Sequence, residues 1–244
     1  MKTRPKVLGV IGGMGPVATV AFLTRLQALT PATRDEDHIR VLADIHPRIP
    51  NRHAEPQAAG EEIGRIAARL VAMGSQVLAM PCNTAHAHAD RIRTAGVPFI
   101  DMVAETVKVV ADASGRRVGV LATPGGEALY VQALTDAGMT PVVLEGQDRA
   151  AFMSAIFGVK GGETERARAE MIRLARALET AGADHLIGGC TEVPLLLTAE
   201  DVAAPLTDSA EVLAAACVRA CLPSPFTGEG GPPSGSDGGL HPLA

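Results

Sequence analysis

Cys82, in Met80-Pro81-Cys82-Asn83-Thr84, and Cys190, in Gly188-Gly189-Cys190-Thr191-Glu192, occupy matching places in what reads as a duplicated chain. Each follows a helical stretch, a glycine eight residues upstream (Gly74, Gly182) and a short apolar run, and each has a threonine close behind. A lone cysteine nucleophile would want a histidine base and an acid, and would leave the other thiol without a task. A redox pair is the second option, but the chain has no Cys-x-x-Cys. Two thiols on opposite sides of a substrate suit proton exchange at a stereocentre. One thiolate removes the proton and the other thiol delivers one to the opposite face.

Free cysteine is also a common core filler, and Cys217 and Cys221, four apart in an Ala-rich helical stretch, are read that way. Cys82 and Cys190 differ in being followed by Thr in polar turns at expected helix N-termini. Unpaired amides and the helix dipole there lower a thiol's pKa and favour thiolate.

The elements that must position these thiols repeat along the chain. Val7 to Ile11 is a continuous apolar run, as expected for a buried parallel strand, and Gly12-Gly13-Met14-Gly15-Pro16 turns it into a helix from Val17 to Leu29. Val41 to Ile45 reads as strand, His46 to Arg52 as irregular, Glu61 to Met73 as helix, and Gln76 to Met80 as the strand that delivers Cys82. The second half repeats this with strand Val118 to Leu121, helix Ala128 to Ala137, strand Pro141 to Leu144, helix Glu163 to Ala181 and strand His185 to Ile187 before Cys190. Pro98 to Asp101 and Pro205 to Asp208 repeat a Pro-x-x-Asp step, 16 and 15 residues after their cysteines, each leading into a further helical pattern. The alternation predicts an α/β fold of two similar units, each with a parallel sheet flanked by helices. Ligands in such sheets bind beyond the carboxyl ends of the strands, where both cysteines fall.

Composition narrows the function. With 244 residues, 47% of them apolar, the chain can bury a substantial core. Its net charge of -5 argues against a nucleic-acid or anionic-membrane partner. No apolar run reaches the length of a membrane span, the N-terminus does not read as a signal peptide, and free cysteines suit a reducing cytoplasm. Residues 223–244 are rich in Pro, Gly and Ser and read as a disordered tail. The Gly12-Gly13-Met14-Gly15 turn fits neither the dinucleotide nor the Walker spacing, and is read as a tight turn that offers backbone amides to an anion. His86 and His88, two apart, make a poor metal pair, and surface or capping roles are expected of them.

Taken together these motifs resemble the aspartate/glutamate racemase family, and within it the aspartate racemase branch, over residues 6 to 221. The matching pieces are Gly12 to Pro16 with Ala18-Thr19, Thr30-Pro31-Ala32, Arg34-Asp35 before His38, Ile49-Pro50 with Arg52, Pro81 to His86, Leu121-Ala122-Thr123, Gly158-Val159-Lys160 before Gly162, and Gly189 to Glu192. The resemblance implies a racemase independent of pyridoxal phosphate and of metal, acting on aspartate or glutamate and commonly a homodimer. It implies two domains related by a pseudo-twofold, here 1–100 plus 207–222 and 101–206. Cys82 and Cys190 take the places of the two catalytic thiols. Asn83, Thr84 and Thr191 would hold the α-carboxylate and amino group, helped by Met14, Gly15 and Thr123. Arg52 and Lys160 would grip the side-chain carboxylate, with Arg48 as a nearby alternative, and Glu192 would orient the neighbourhood of the second thiol.

Two departures bear on the substrate. The family's usual Asp-Arg-Thr reads Asn51-Arg52-His53, and Thr-Gly-Thr reads Pro124-Gly125-Gly126. The alternatives that stay open are another reaction of the same superfamily, such as hydantoin racemisation or arylmalonate decarboxylation, and a dicarboxylate-binding protein without catalysis.

Overall fold

The computed structural model describes residues 4–52, 54–160 and 163–222, the side chain of Lys160 excepted. The expected tail at 223–244 lies outside the described residues. The first half runs β1 (Leu8–Gly12), α1 (Pro16–Leu29), β2 (Val41–Ile45), α2 (Pro56–Ala72), β3 (Val77–Ala79), a 3-10 turn at Thr84–His88, α3 (Ala89–Arg93) and β4 (Phe99–Ile100). After α4 (Met102–Asp112) come β5 (Arg117–Leu121), α5 (Pro124–Asp136), β6 (Thr140–Val143), α6 (Gly146–Lys160), α7 (Thr164–Thr180), β7 (His185–Gly188), β8 (Leu206–Asp208) and α8 (Ser209–Cys221).

Two four-stranded sheets result, β2-β1-β3-β4 and β6-β5-β7-β8, with every pairing parallel and the same order in both. This is the two-unit α/β fold that the alternating pattern predicts. β1, β3 and β7 are buried along their whole length, which explains why they read as unbroken apolar runs rather than alternating ones. In the first unit β1 and β3 pack with Phe22 and Leu26 of α1 on one face, and with Ile63, Ile66 and Leu70 of α2 on the other. In the second, Tyr130 and Leu134 of α5 cover one face, and Phe152 and Ile156 of α6 with Met171 and Leu174 of α7 the other. Each such side chain contributes roughly 1.5–3 kcal/mol on leaving water.

The repeat extends to the turns. Gly74 and Gly182 end α2 and α7 at φ +104° and +92°, a backbone that favours glycine, and so start the strands that lead to the cysteines. The Pro-x-x-Asp steps are a pairing followed by a cap. The amides of Leu78 and Leu186 donate to the carbonyls of Pro98 and Pro205 at 2.8 Å. Asp101 then accepts from Val103 and Ala104 at the start of α4, and Asp208 from Ala210 at the start of α8.

These two helices cross between the units. α4 follows the last strand of the first sheet, yet Val103, Val107 and Val110 pack with β5 and α5. α8 follows the last strand of the second, yet Leu213, Ala214 and Cys217 pack with β1 and α1. Cys217 and Cys221 are core residues, as their spacing implies.

Helix α6 has no place in the sequence reading, and it also has no counterpart in the first half, where a loop and α2 alone join β2 to β3. Its buried Phe152 and Ile156 lie four apart, a helical period, but the other apolar residues fall around the whole helix and dilute that signal.

Candidate active site

Each sheet has a switch point between its first and third strands in chain order. The connection leaving β1 crosses to β2 and the next returns to β3, and β5, β6 and β7 repeat the pattern. Loops leaving the carboxyl ends of such neighbours diverge and leave a crevice. Here the loops after β1 and β3 carry Met14 and Cys82-Asn83-Thr84, and those after β5 and β7 carry Thr123 and Cys190-Thr191-Glu192. The two crevices meet in one cleft of about 190 Å³, lined by all of these residues together with Arg52. Gly15 and Arg48 do not line it, and Arg48 is exposed. Lys160 ends α6, and its side chain lies outside the described residues. A larger groove of about 460 Å³ between α6 and α7 holds neither cysteine and none of these polar side chains.

The turn after β1 is held by Thr19, whose hydroxyl accepts from the Gly13 amide and donates to the Gly15 carbonyl, both at 3.0 Å. Gly13, at φ +97°, is pressed against the His46 backbone. The amide of Gly13 is therefore engaged inside the turn, contrary to the expectation that it is offered to an anion. His86 is buried rather than on the surface, and it does cap. Its Nδ1 lies 2.9 Å from the Cys82 carbonyl and its Nε2 accepts from the Met102 amide at 3.0 Å. That pairing places the ring proton on Nδ1 and ties the Cys82 loop to the start of α4. Burial holds the His86 pKa below its ordinary value and keeps the ring neutral.

Across the cleft, Cys190 Sγ donates to Glu192 Oε2 at 3.0 Å, and Thr191 Oγ1 donates to the same oxygen at 3.2 Å. Burial, followed by the Glu192 charge, pushes the Cys190 thiol well above its ordinary pKa. The expected lowering by a helix N-terminus does not hold at Cys190. The element after it is a three-residue 3-10 turn, Val193–Leu195, too short to set up a dipole that offsets burial and an adjacent carboxylate. Cys82 and Cys190 are 6% and 8% exposed, so a substrate atom reaches either from the cleft and from little else.

The Thr84 and Thr123 hydroxyls lie 2.7 Å apart and bridge the two halves of the cleft floor. Arg52, from the loop between β2 and α2, is half-buried, and its Nε is buried without a hydrogen-bond partner. Asn51, noted from the sequence only as a departure from the family pattern, and Gly189, noted only within the motif around Cys190, also line the cleft, as do Met153, Ile156 and Phe157, which were not singled out. These last three sit on the unforeseen α6, so finding that helix would have found them. Among the described residues no cluster of three or more His, Cys, Asp or Glu could hold a metal ion, and no helix is long and apolar enough to cross a membrane.

Known proteins give the same picture. The sequence profile of the Asp/Glu/Hydantoin racemase family matches residues 11–217. The structure superposes on Picrophilus torridus aspartate racemase with a TM-score of 0.79, at 30% identity and covering 88% of this chain and 93% of that one. The broad specificity amino-acid racemase RacX of Bacillus subtilis is 24% identical over 223 residues, 88% of this chain and 98% of that protein. A glutamate racemase of Pseudomonas paraeruginosa is 30% identical over 186 residues, 74% of this chain and 67% of that protein. A fold of paired parallel sheets, a cysteine at the same switch point in each, and a profile match spanning both make this chain a member of the Asp/Glu/Hydantoin racemase family.

Proposed function

We propose that the protein is an amino-acid racemase, independent of pyridoxal phosphate and metal, that interconverts L- and D-aspartate, with glutamate as the second candidate substrate. The observation that carries this reading is that Cys82 and Cys190, from symmetry-related strands of two units, line one cleft. In the forward direction a thiolate on one side takes the α-proton, so that an S–H bond forms as the C–H bond breaks. The opposite thiol then gives its proton to the carbanion, and the two sulfurs end with exchanged protonation states. The reverse direction uses the same groups with roles swapped.

Binding comes from the cleft's polar groups. Arg52 is the described cation placed to take the side-chain carboxylate, and a guanidinium suits a planar, bidentate partner. Lys160 is proposed as the second cation. Thr84, Thr123, Thr191 and Asn83 are proposed to receive the α-carboxylate and amino group, with Met14 and Gly15 closing the turn beside them.

One observation favours a wider substrate range. The wall from α6 presents Met153, Ile156 and Phe157, an apolar surface that a purely dicarboxylate pocket has no need of, and RacX is described as broad in specificity. We also propose a homodimer, to be tested by sedimentation.

The functional test is incubation with L-aspartate, and separately with L-glutamate, in deuterated buffer under reducing conditions, following the α-proton by NMR and chirality by chromatography. Deuterium incorporation with D-product, abolished by Cys82→Ser and by Cys190→Ser, supports the reading. Both serine variants racemising at the parent rate would refute it.

A further inference from the structure

Tyr130 and Ser209 do not themselves line the cleft, yet each bridges the segments that carry the two cysteines. Tyr130, the chain's single tyrosine, sits on α5 with no exposure. Its hydroxyl donates to Asn83 Oδ1 at 2.7 Å, on the residue after Cys82. Its ring lies against Gly189, the residue before Cys190, so closely that a Cβ at position 189 would come within 2.7 Å of a ring carbon. Ser209, the first residue of α8, is equally buried. It accepts from Asn83 Nδ2 at 3.1 Å and donates to the Gly188 carbonyl at 2.7 Å, two residues ahead of Cys190.

We infer that Tyr130 and Ser209 are positioning residues that set the spacing of the two thiols, a rigid strut running Tyr130–Asn83–Ser209–Gly188 behind the cleft. The inference rests on the proposed two-thiol function. Each link of this hydrogen-bonded chain pairs a donor with an acceptor, and the polarity runs one way, from phenol to amide to hydroxyl to carbonyl. A buried network of this kind, fully satisfied, holds one geometry and penalises the loss of any member. Two-sided proton transfer requires that the spacing of the two thiols be held fixed. A thiol displaced by about 1 Å can lose on the order of 100-fold in rate. The helices that carry the pair reinforce the point, because α5 belongs to the second unit and α8 packs on the first.

The test uses the full-length protein carrying Tyr130→Phe, which keeps the ring against Gly189 and removes the hydroxyl that donates to Asn83, with Ser209→Ala as the second variant. Hydrogen exchange resolved by mass spectrometry reads the loops directly, whether or not the protein turns over any substrate. We expect faster exchange in both loops, around residues 82–84 and 189–191, with the strands of each sheet unchanged. In the racemase assay kcat is expected to fall about 10- to 100-fold, with KM moving less than about 3-fold. Deuterium is also expected to enter the unreacted starting enantiomer faster, relative to product, because a displaced acid leaves time for the thiol that took the proton to exchange it with solvent and return a deuteron to the original face. Unchanged exchange in the two loops overturns the inference. So do looser loops with unaltered kcat and partition, and so does a fall in activity that only tracks the unfolded fraction. A parent protein that exchanges no α-proton of any amino acid refutes the functional reading instead, and the loop measurement still decides the strut.

Discussion

Glu192→Gln is the sharpest single perturbation of the site, because it leaves shape and an acceptor in place and removes one charge. In the parent, Cys190 Sγ donates to Glu192 Oε2 at 3.0 Å, and both side chains are buried. Burial and the carboxylate act in the same direction on the thiol, upward, so the resting Cys190 is the protonated partner and the natural proton donor. A hydrogen bond to a charged acceptor is worth roughly 1 kcal/mol more than one to a neutral acceptor. The through-space repulsion of a thiolate at this range adds up to about 4 kcal/mol at an effective dielectric near 20. Removing the charge should therefore raise the Cys190 thiolate population at a given pH by about 5-fold to several thousand-fold, at 1.4 kcal/mol per tenfold.

The sign has a directional consequence. For the enantiomer whose proton Cys190 removes, the rising limb of the pH–rate profile moves to lower pH in Glu192→Gln. For the other enantiomer, where Cys190 must arrive protonated, the falling limb moves to lower pH as well, so the protein loses activity at the alkaline end. Initial rates from pure L and pure D substrate across pH, with thiolate ultraviolet absorbance as an independent titration, make the comparison. Profiles for both enantiomers that superpose on the parent's would refute the assignment of Glu192 as a group that acts with burial to keep Cys190 protonated.

Other changes have equally definite outcomes. Arg52→Met should remove the proposed charge-assisted contact with the substrate carboxylate, worth about 1.5–3 kcal/mol. It should raise KM for aspartate roughly 10- to 100-fold while sparing any substrate with a neutral side chain, and an unmoved KM in steady-state kinetics would exclude Arg52 as the anchor. His86, His88 and His185 are all held below their ordinary pKa, chiefly by burial. The unfolded chain thus binds more protons than the folded one, so this stability is complete above about pH 6.5 and declines as pH falls below it. Urea unfolding at stepped pH should show that decline, and a flat profile across the range would contradict it. Gly13→Ala places a methyl group 2.4 Å from the His46 backbone at a left-handed φ, and should lower Tm by about 3–10 °C in a thermal melt. A melt matching the parent's would mean that the turn relaxes freely.

Much of the architecture was legible because the duplication lets each half check the other. Gly74 and Gly182, the Pro-x-x-Asp steps and the two cysteines recur in register, and in the structure they are helix ends, strand pairings with caps, and loops of one cleft. β2 was readable to the residue, since Val41 to Ile45 is bounded by polar and Pro-rich chain on either side. What escaped was whatever lacks a repeat partner or depends on contacts between the units. α6 is present in only one half, and its apolar residues do not fall in a clean stripe. The upward push on Cys190 depends on burial and on a side chain two residues away turning back toward it, neither of which local spacing reveals. Tyr130 and Ser209 lie 48 and 127 residues beyond Cys82 and meet its loop only in the folded chain.

Helix α6, which has no counterpart in the first unit, bears on how this pocket can be reshaped. It is joined to the second unit by short connections to β6 and α7, and among the cleft's walls it alone adds apolar side chains from outside the duplicated frame. The corresponding loop of the first unit offers Asn51 and Arg52 instead. One half of the pocket thus carries the part held constant by symmetry, and the other carries a detachable panel. Exchange of residues 146–160 between homologues would retune which side chains fit while leaving both sulfurs where they are, a natural starting point for libraries that seek new D-amino acids.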